Sequence, residues 1–345
     1  MSPPLVSVVH AARDARATIG QAMASVLGQT FHDLELVVVD DGSVDGTGEL
    51  LASVDDPRLR VVRNEEALGL AGALNVGMGE SRGRYIARLD ADDVARPQWL
   101  DRLAARMGSA PAAAVVGTGA IDFGDDGRLG RVHRMPSGAR AVRWAALFSS
   151  PFLHPTVIVD RQVLDAHGLR YDTSFGESED YDLWSRLLAV ADGDNLRDPL
   201  VLYRRHPAQA STRRADVQRS CQRRVALAQI AELVPGMGED RAELAWLVGS
   251  GRALPAGSAA AAADALGELV DAFEQRHGGS EARRSAAWAL ASASYGTTSA
   301  SPSVKADATP VRSETTTGVP TAAASAATSP KFSPPEASTK TSARR

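Results

Sequence analysis

The chain has 345 residues, 44% of them hydrophobic and 23% charged, with a net charge of −4. That composition suits a soluble globular protein with room for one large domain or two small ones, and its mild acidity argues against a nucleic-acid binder held by a basic face. A single cysteine, Cys221, excludes an internal disulfide and a cysteine-rich zinc site, and no apolar run reaches the roughly 20 residues that span a bilayer. The first residues, Met1 to Val9, carry no basic start and no long apolar stretch. No secretion signal is expected there, and a reducing cytoplasm is the expected compartment.

The first half of the chain alternates short apolar runs with helical patterns. Val6–Val9 reads as a strand, and Ile19, Met23, Val26 and Leu27 then trace one helical face. Leu34–Val39 is the next strand, bounded by Asp40-Asp41-Gly42-Ser43. A helix through Glu49–Leu51 and a strand at Leu59–Val62 follow. Leu70, Leu74 and Met78 share a helical face. Tyr85–Leu89 is a strand that ends in Asp90-Ala91-Asp92-Asp93. Pro97 suits the opening of a helix carrying Leu100, Leu103 and Met107, and Ala113–Val116 is a further strand. Strands alternating with helices predict an α/β fold, with a mostly parallel sheet covered by helices on both faces.

Three segments are expected: an α/β domain over 1–214, a helical appendage over 215–292 and a tail over 293–345. In the appendage Val225, Leu227, Ile230, Leu233 and Val234 fall at helical spacings, as do Leu244, Leu247 and Val248. Ala259–Ala263 favours a helix but offers little to pack with. The tail is mostly Ser, Thr, Ala and Pro, a composition expected to stay disordered. Its sparse charge fits a solvated tail better than a polybasic membrane anchor.

Ligands of open α/β sheets bind outside the carboxyl ends of the strands. Here those ends lead to His10–Asp14, to Asp40-Asp41, and to Asp90, Asp92 and Asp93. Asp-Asp-Gly-Ser by itself is an ordinary turn and helix cap. Asp-x-Asp-Asp is more telling, because three carboxylates within four residues repel one another unless a cation neutralises them. An oxygen-only site suits Mg²⁺ or Mn²⁺. Further on, Asp180 follows Glu179 at the start of an apolar helical stretch with Leu183, Trp184, Leu187 and Leu188. The helix N-terminus favours ionised Asp180, and the neighbouring Glu179 disfavours it.

Taken together, these segments resemble a family 2 glycosyltransferase with the GT-A (nucleotide-diphospho-sugar transferase) fold. The motifs are Val6–Val9, Leu34–Ser43, Asn64–Gly69, Asn75, Gly77, Gly83 and Tyr85–Asp93, then His154-Pro155-Thr156, Glu179–Trp184 and Tyr203–Pro207. The ordered set covers about residues 4–212. The resemblance implies transfer of a sugar from a nucleoside-diphosphate sugar (UDP, dTDP or GDP type) to an acceptor hydroxyl, with inversion at the anomeric carbon. It implies an acceptor that is a cell-surface glycan or a lipid-linked sugar and, if the acceptor is lipid-linked, a peripheral contact with the inner membrane face. It also implies a divalent cation, Mn²⁺ or Mg²⁺.

Carried over residue by residue, Asp41 corresponds to the aspartate that hydrogen-bonds the base. Ala11, Arg13 and Asp14 line the base and ribose. Asn75 belongs with the donor set, and Asp90 lies between ribose and metal. Asp92 is the direct metal ligand and His206 a candidate one. Asp180 is the general base, with Glu179 beside it. The departing diphosphate needs positive charge, for which Arg82, Arg88 and His206 are candidates. His154-Pro155 is expected to shape the floor below the acceptor, and Trp184 to be core.

The chain departs from the family pattern at Arg13 and Asp14, where an aromatic residue and an asparagine are common. An arginine can lie flat on a base, so the base preference stays open. His10 also stands where a small or apolar residue is common. Rival readings are a catalytically inactive sugar-nucleotide-binding shell, a nucleotidyltransferase and a haloacid-dehalogenase-like phosphatase. The last two fit less well: Val9–Ala17 has no glycine for a phosphate loop, and Asp-x-Asp-Asp is on the fourth strand instead of the first.

Overall fold

The structure is a computed structural model that describes residues 3–206, 214–280, 282–286 and 289. The tail expected over 293–345 lies outside the described residues. Nine strands form one sheet: β1 (Val6–Ala12), β2 (Leu34–Asp40), β3 (Leu59–Arg63), β4 (Tyr85–Arg88), β5 (Val94–Ala95), β6 (Val115–Phe123), β7 (Leu129–His133), β8 (Ile158–Asp160) and β9 (Gly193–Arg204). Their order is β3-β2-β1-β4-β8-β6-β9-β5, with β7 paired to β6.

Strands β1 to β4 are mutually parallel. Strand β8 runs against both β4 and β6, and β9 is parallel to β6. Six strands therefore point one way. Only the short β5, β7 and β8 run against them. The carboxyl ends of β1, β2, β4, β6 and β9 all reach one edge of the sheet, which is the edge that collects the polar residues.

Side-chain alternation divides the core. Val6, Val8, Leu36 and Val38 face a cluster with Ile19, Met23 and Val26 of α1 (Ile19–Leu27) and Trp99, Leu100 and Leu103 of α4 (Trp99–Met107). Val9, Ile86 and Val115 face the opposite cluster. There α3 (Gly69–Glu80) supplies Leu74 and Met78, α5 (Ala139–Ala146) supplies Val142, and α7 (Glu179–Val190) supplies Leu183, Trp184, Leu187 and Leu188. Helices α2 (Thr47–Ala52) and α6 (Arg161–Ala166) are one-and-a-half-turn connectors. The sheet is thus covered on both faces, as expected. Leu70 does not join the face of Leu74 and Met78; it is 43% exposed.

The described residues beyond 206 include the helices α8 (Ala215–Leu233), α9 (Glu239–Gly249) and α10 (Ala259–His277). They build a third cluster that takes in Trp144, Leu147 and Phe148 from the end of α5. The Trp246 indole donates to the Phe148 carbonyl at 3.0 Å. Gly249 lies so close to the Phe148 ring that a Cβ there would fall 2.2 Å from it, so only glycine lets α9 approach. The alanine run has more to pack with than its sequence suggests. Ala262 is fully buried beside Ala265 and Leu266, because small side chains let α10 come close to its neighbours. Among the described residues no helix is long and apolar enough to cross a membrane.

Candidate active site

The first corner of the site is built by the ends of β1 and β2. Asp40 is buried and staples its own turn. One carboxylate oxygen accepts from the Ser43 N–H at 2.9 Å and the other from Arg63 Nη1 at 3.0 Å. Asp41 is also buried. It accepts from Asn64 Nδ2 at 2.8 Å, from the Leu68 N–H at 2.8 Å and from the Gly69 N–H at 2.9 Å. These donors fix its carboxylate at the head of α3 and leave part of its acceptor capacity open.

Asp14 adopts a left-handed conformation with φ +50°. Its N–H donates to Ser43 Oγ at 3.0 Å, and its carboxylate accepts from the Val44 N–H at 2.9 Å. Asp14 thereby ties the β1 loop to the β2 loop. Arg13 is exposed beside it, with no ion pair among the described residues, and Ala11 is half-buried at the strand end.

The second corner follows β4. Arg88 is 5% exposed and grips Asp90 with both arms, Nη1 to Oδ2 at 2.9 Å and Nη2 to Oδ1. Asp92 Oδ2 lies 3.0 Å from His206 Nε2. Asp93 is fully buried. Its Oδ1 accepts from the Arg204 N–H at 2.8 Å, and its Oδ2 has no partner among the described residues. One oxygen from each of Asp90, Asp92 and Asp93 can come within 4.8 Å of the others. Burial, joined by the charges of Asp90 and Asp92, pushes the Asp93 carboxyl well above the usual carboxylate range. Burial also raises Asp90, despite Arg88. Ionising all three carboxyls would place more negative charge there than Arg88 offsets, and Asp93 has a buried oxygen to spare. These residues fit a divalent cation held by oxygen ligands.

The third corner is the head of α7. Asp180 Oδ2 accepts from Ser150 Oγ at 3.3 Å. Burial raises its carboxyl above the ordinary range, although the Tyr181 N–H, Arg88 and Ser150 oppose the shift. Burial first, and the Asp180 charge second, push Glu179 up to about 7. At Asp180 the largest effect is desolvation, which the sequence reading does not weigh against the helix N-terminus or the Glu179 charge. His154 Nε2 lies 2.8 Å from the Tyr171 hydroxyl, with its Nδ1 at 3.9 Å from Glu179 Oε1. Burial, reinforced by Arg88, keeps His154 neutral. The corners are close enough to feel one another. The Asp180 charge adds to the upward push on Asp90, and the Arg88 charge pulls down on Glu179 and Asp180.

Not every residue expected at the site is there. Arg82 precedes β4 and so lies at the amino ends of the parallel strands, the opposite edge of the sheet. Its Nε and N–H donate to Glu35 at 2.7 and 2.8 Å. It is withdrawn from the donor set on that ground. Asn75 spends its amide on the Tyr171 backbone, donating to the carbonyl at 2.8 Å and accepting from the N–H at 3.0 Å. Trp184 is fully buried in the sheet core. The residue that sequence reasoning missed is Arg204. Its Nε donates to the Asp92 carbonyl at 2.8 Å and its Nη2 to Gln21 Oε1 at 2.6 Å, while Nη1 pairs with Asp125 at 2.6 Å. It holds the Asp-rich loop from behind. In the sequence it stands within the motif Tyr203–Pro207, with no role of its own assigned.

The mixed sheet covered by helices, with carboxylates gathered at the strand ends, is a GT-A fold. The family profile described as Glycosyl transferase family 2 matches residues 7–167. An uncharacterized glycosyltransferase of Haemophilus influenzae is 31% identical over 221 residues, covering 61% of this chain and 68% of that protein. The succinoglycan biosynthesis protein ExoO of Rhizobium meliloti is 37% identical over 200 residues, 54% of this chain and 56% of that one. The match thus spans little more than half of ExoO. Among solved structures, S. aureus TarS 1–349 in complex with UDP-GlcNAc has the same fold at a TM-score of 0.56, with 18% identity, covering 85% of this chain and 89% of that one. The chain belongs to glycosyltransferase family 2.

Proposed function

We propose that the protein is an inverting, divalent-cation-dependent glycosyltransferase. It moves a sugar from a nucleoside-diphosphate sugar to a hydroxyl of a glycan or lipid-linked acceptor, in the building of a cell-surface polysaccharide. The observation that carries the reading is the opposition of two carboxylate sets at one sheet edge, Asp90, Asp92 and Asp93 after β4 and Asp180 at the head of α7. An enzyme that inverts by a single displacement needs a base for the acceptor proton and positive charge to offset the leaving diphosphate. One set handles the leaving diphosphate, and one base takes the acceptor proton.

In this reading Asp90, Asp92 and Asp93 hold the cation, with His206 fixing Asp92. When bound there, the ion would supply charge stabilisation to the departing diphosphate. Asp41 accepts from the base, Arg13 lies against its face, and Asp14 shapes the loop between them. Asp180 keeps one oxygen on Ser150 and turns the other to the acceptor hydroxyl. That oxygen takes the proton as the acceptor oxygen bonds to the anomeric carbon and the bond to the diphosphate breaks. Its raised proton affinity makes it a better base. Glu179, half protonated near neutrality, limits the negative charge beside it. Polysaccharide synthesis is supported by the name of ExoO, and a UDP-type donor by the ligand of TarS. A lipid-linked acceptor would bring the enzyme to the inner membrane face.

A thermal-shift panel of UDP, dTDP, GDP and CMP, each with and without Mn²⁺, tests the donor half. A ligand that binds only the folded state raises the melting temperature. A shift that needs Mn²⁺ and favours one nucleoside diphosphate is expected. Equal shifts with and without Mn²⁺, or none with any nucleotide, would contradict it.

A further inference from the structure

Helix α8 lies outside the glycosyltransferase pattern, yet it packs against the segment that carries Asp180. Residues 172–178 lead into α7, and Tyr181 is the neighbour of Asp180. Leu183 and Trp184 of α7 face the sheet core. Tyr181 does not. With Phe175 it forms a separate apolar cluster with Val225 of α8, on which Cys221 packs. The Arg224 guanidinium lies over the Phe175 ring, 3.7 Å from its centroid. Arg214, at the head of α8, reaches Glu177 at 3.4 Å. Gln229 donates to the Tyr181 hydroxyl at 3.3 Å and to the Ala146 carbonyl at 2.8 Å, the same carbonyl that accepts from Tyr181.

The loop has little to hold it otherwise. Its internal hydrogen bonds, from the Phe175 N–H to the Asp172 carbonyl at 3.2 Å and from the Ser174 N–H to Asp172 Oδ1 at 2.8 Å, end before Ser178. Ser178 sits at φ +62° and ψ 27°, caps nothing with its side chain, and buries a hydroxyl with no partner among the described residues. A residue with a side chain keeps that conformation only where its surroundings enforce it. On the side away from the sheet, those surroundings include α8.

We infer that α8 sets the position of Asp180. Arg224, Arg214 and Gln229 are positioning residues that act on the base through Phe175, Glu177 and Tyr181. The inference rests on Asp180 being the base, as proposed above.

Hydrogen exchange, donor turnover (nucleoside diphosphate released) and donor affinity, all on the full chain, test it. Arg224→Ala is expected to speed exchange in peptides spanning 172–182 and leave those of β1 and β2 unchanged. Turnover should fall about tenfold, with donor Kd within about twofold. Arg224→Lys keeps a cation over the ring and should recover most of both losses. Arg214→Ala changes a side chain that is 65% exposed, so it should loosen the same peptides without lowering Tm. Unchanged exchange over 172–182 in both alanine variants overturns the inference. So does a lowered Tm with unchanged turnover per folded molecule. If exchange responds but the wild type turns over no donor, the loop is held as inferred and the transferase reading is what has failed.

Discussion

Asp92 and His206 are 114 positions apart in the chain and meet at 3.0 Å, carboxylate oxygen to ring nitrogen. The meeting is a product of topology. Strand β5 pairs antiparallel with β9, Val94 opposite Leu202, so the end of β9 is carried back beside the loop that follows β4. Arg204 then locks the junction through the Asp92 carbonyl and the Asp93 carboxylate.

Asp92 is therefore predicted to matter for the cation and little for the fold. Asp92→Asn should raise the Kd for a nucleoside diphosphate in Mn²⁺ by at least about a hundredfold, and His206→Asn by about tenfold, as an outer partner of a ligand would. Titration with and without Mn²⁺ checks both. Binding by Asp92→Asn that still responds fully to Mn²⁺ would remove Asp92 from the cation site.

Glu179 should leave a mark on the pH dependence of stability. Its carboxyl is raised to about 7, so the folded state holds its proton more tightly than the unfolded state does. The stability tied to that proton is present in full below the ordinary glutamate range and is lost as pH rises toward 7. Glu179→Gln cannot ionise and escapes the loss. Thermal melts at pH 5 and pH 8 should show the variant gaining on the wild type at the higher pH. An equal difference at the two values would contradict this.

Arg82 separates the structural account from the sequence resemblance. Its partner Glu35 is almost fully buried, and removing the arginine side chain leaves that carboxylate with the backbone N–H of position 82 at 2.8 Å, with Ser7 at 2.6 Å and with the more distant Arg60 at 3.9 Å. Arg82→Ala should cost about 1–3 kcal/mol of stability and leave nucleotide affinity unchanged. A tenfold loss of affinity in a folded variant would return Arg82 to the donor site.

His10 is a buried histidine in mid-strand, and neither ring nitrogen has a partner among the described residues. Burial, with Arg88 second, lowers its pKa to about 3. The unfolded chain takes the proton first as pH falls, so the wild type should lose stability below the ordinary histidine range. His10→Val removes both that slope and two unsatisfied polar atoms. Its Tm should rise by a few degrees at neutral pH and by more at pH 5. A lower Tm at both would mean that the imidazole has a partner this account lacks.

Much of this site was legible in the residues, and the rest was hidden for identifiable reasons. Uniformly apolar runs mark strands buried on both faces, and Leu34–Val39 and Tyr85–Leu89 fell where β2 and β4 lie. Asp41, Asp90, Asp92 and Asp180 all reach the one edge where strands end. Strand β9 was harder to see. Asp194, Asn195, Arg197, Asp198 and Pro199 interrupt its pattern, because part of it is half-exposed. Arg82 and Arg88 look alike as nearby cations, but one precedes β4 and the other ends it, so they lie at opposite edges of the sheet. Asn75 gives one amide hydrogen and one lone pair to the Tyr171 backbone, a partnership across 96 positions that the motif does not show. The packing of α8 on Phe175 and Tyr181 joins residues distant in sequence, and no local pattern announces it.

The central claim is the division of labour between the carboxylates after β4 and the one at the head of α7. Asp180→Asn tests it most directly, with donor Kd measured by titration in Mn²⁺ and donor turnover measured on the same preparation. A Kd within about twofold of wild type and turnover reduced by at least about a hundredfold are expected, the loss of a general base without loss of a binding contact. Weakened donor binding with turnover intact would contradict it.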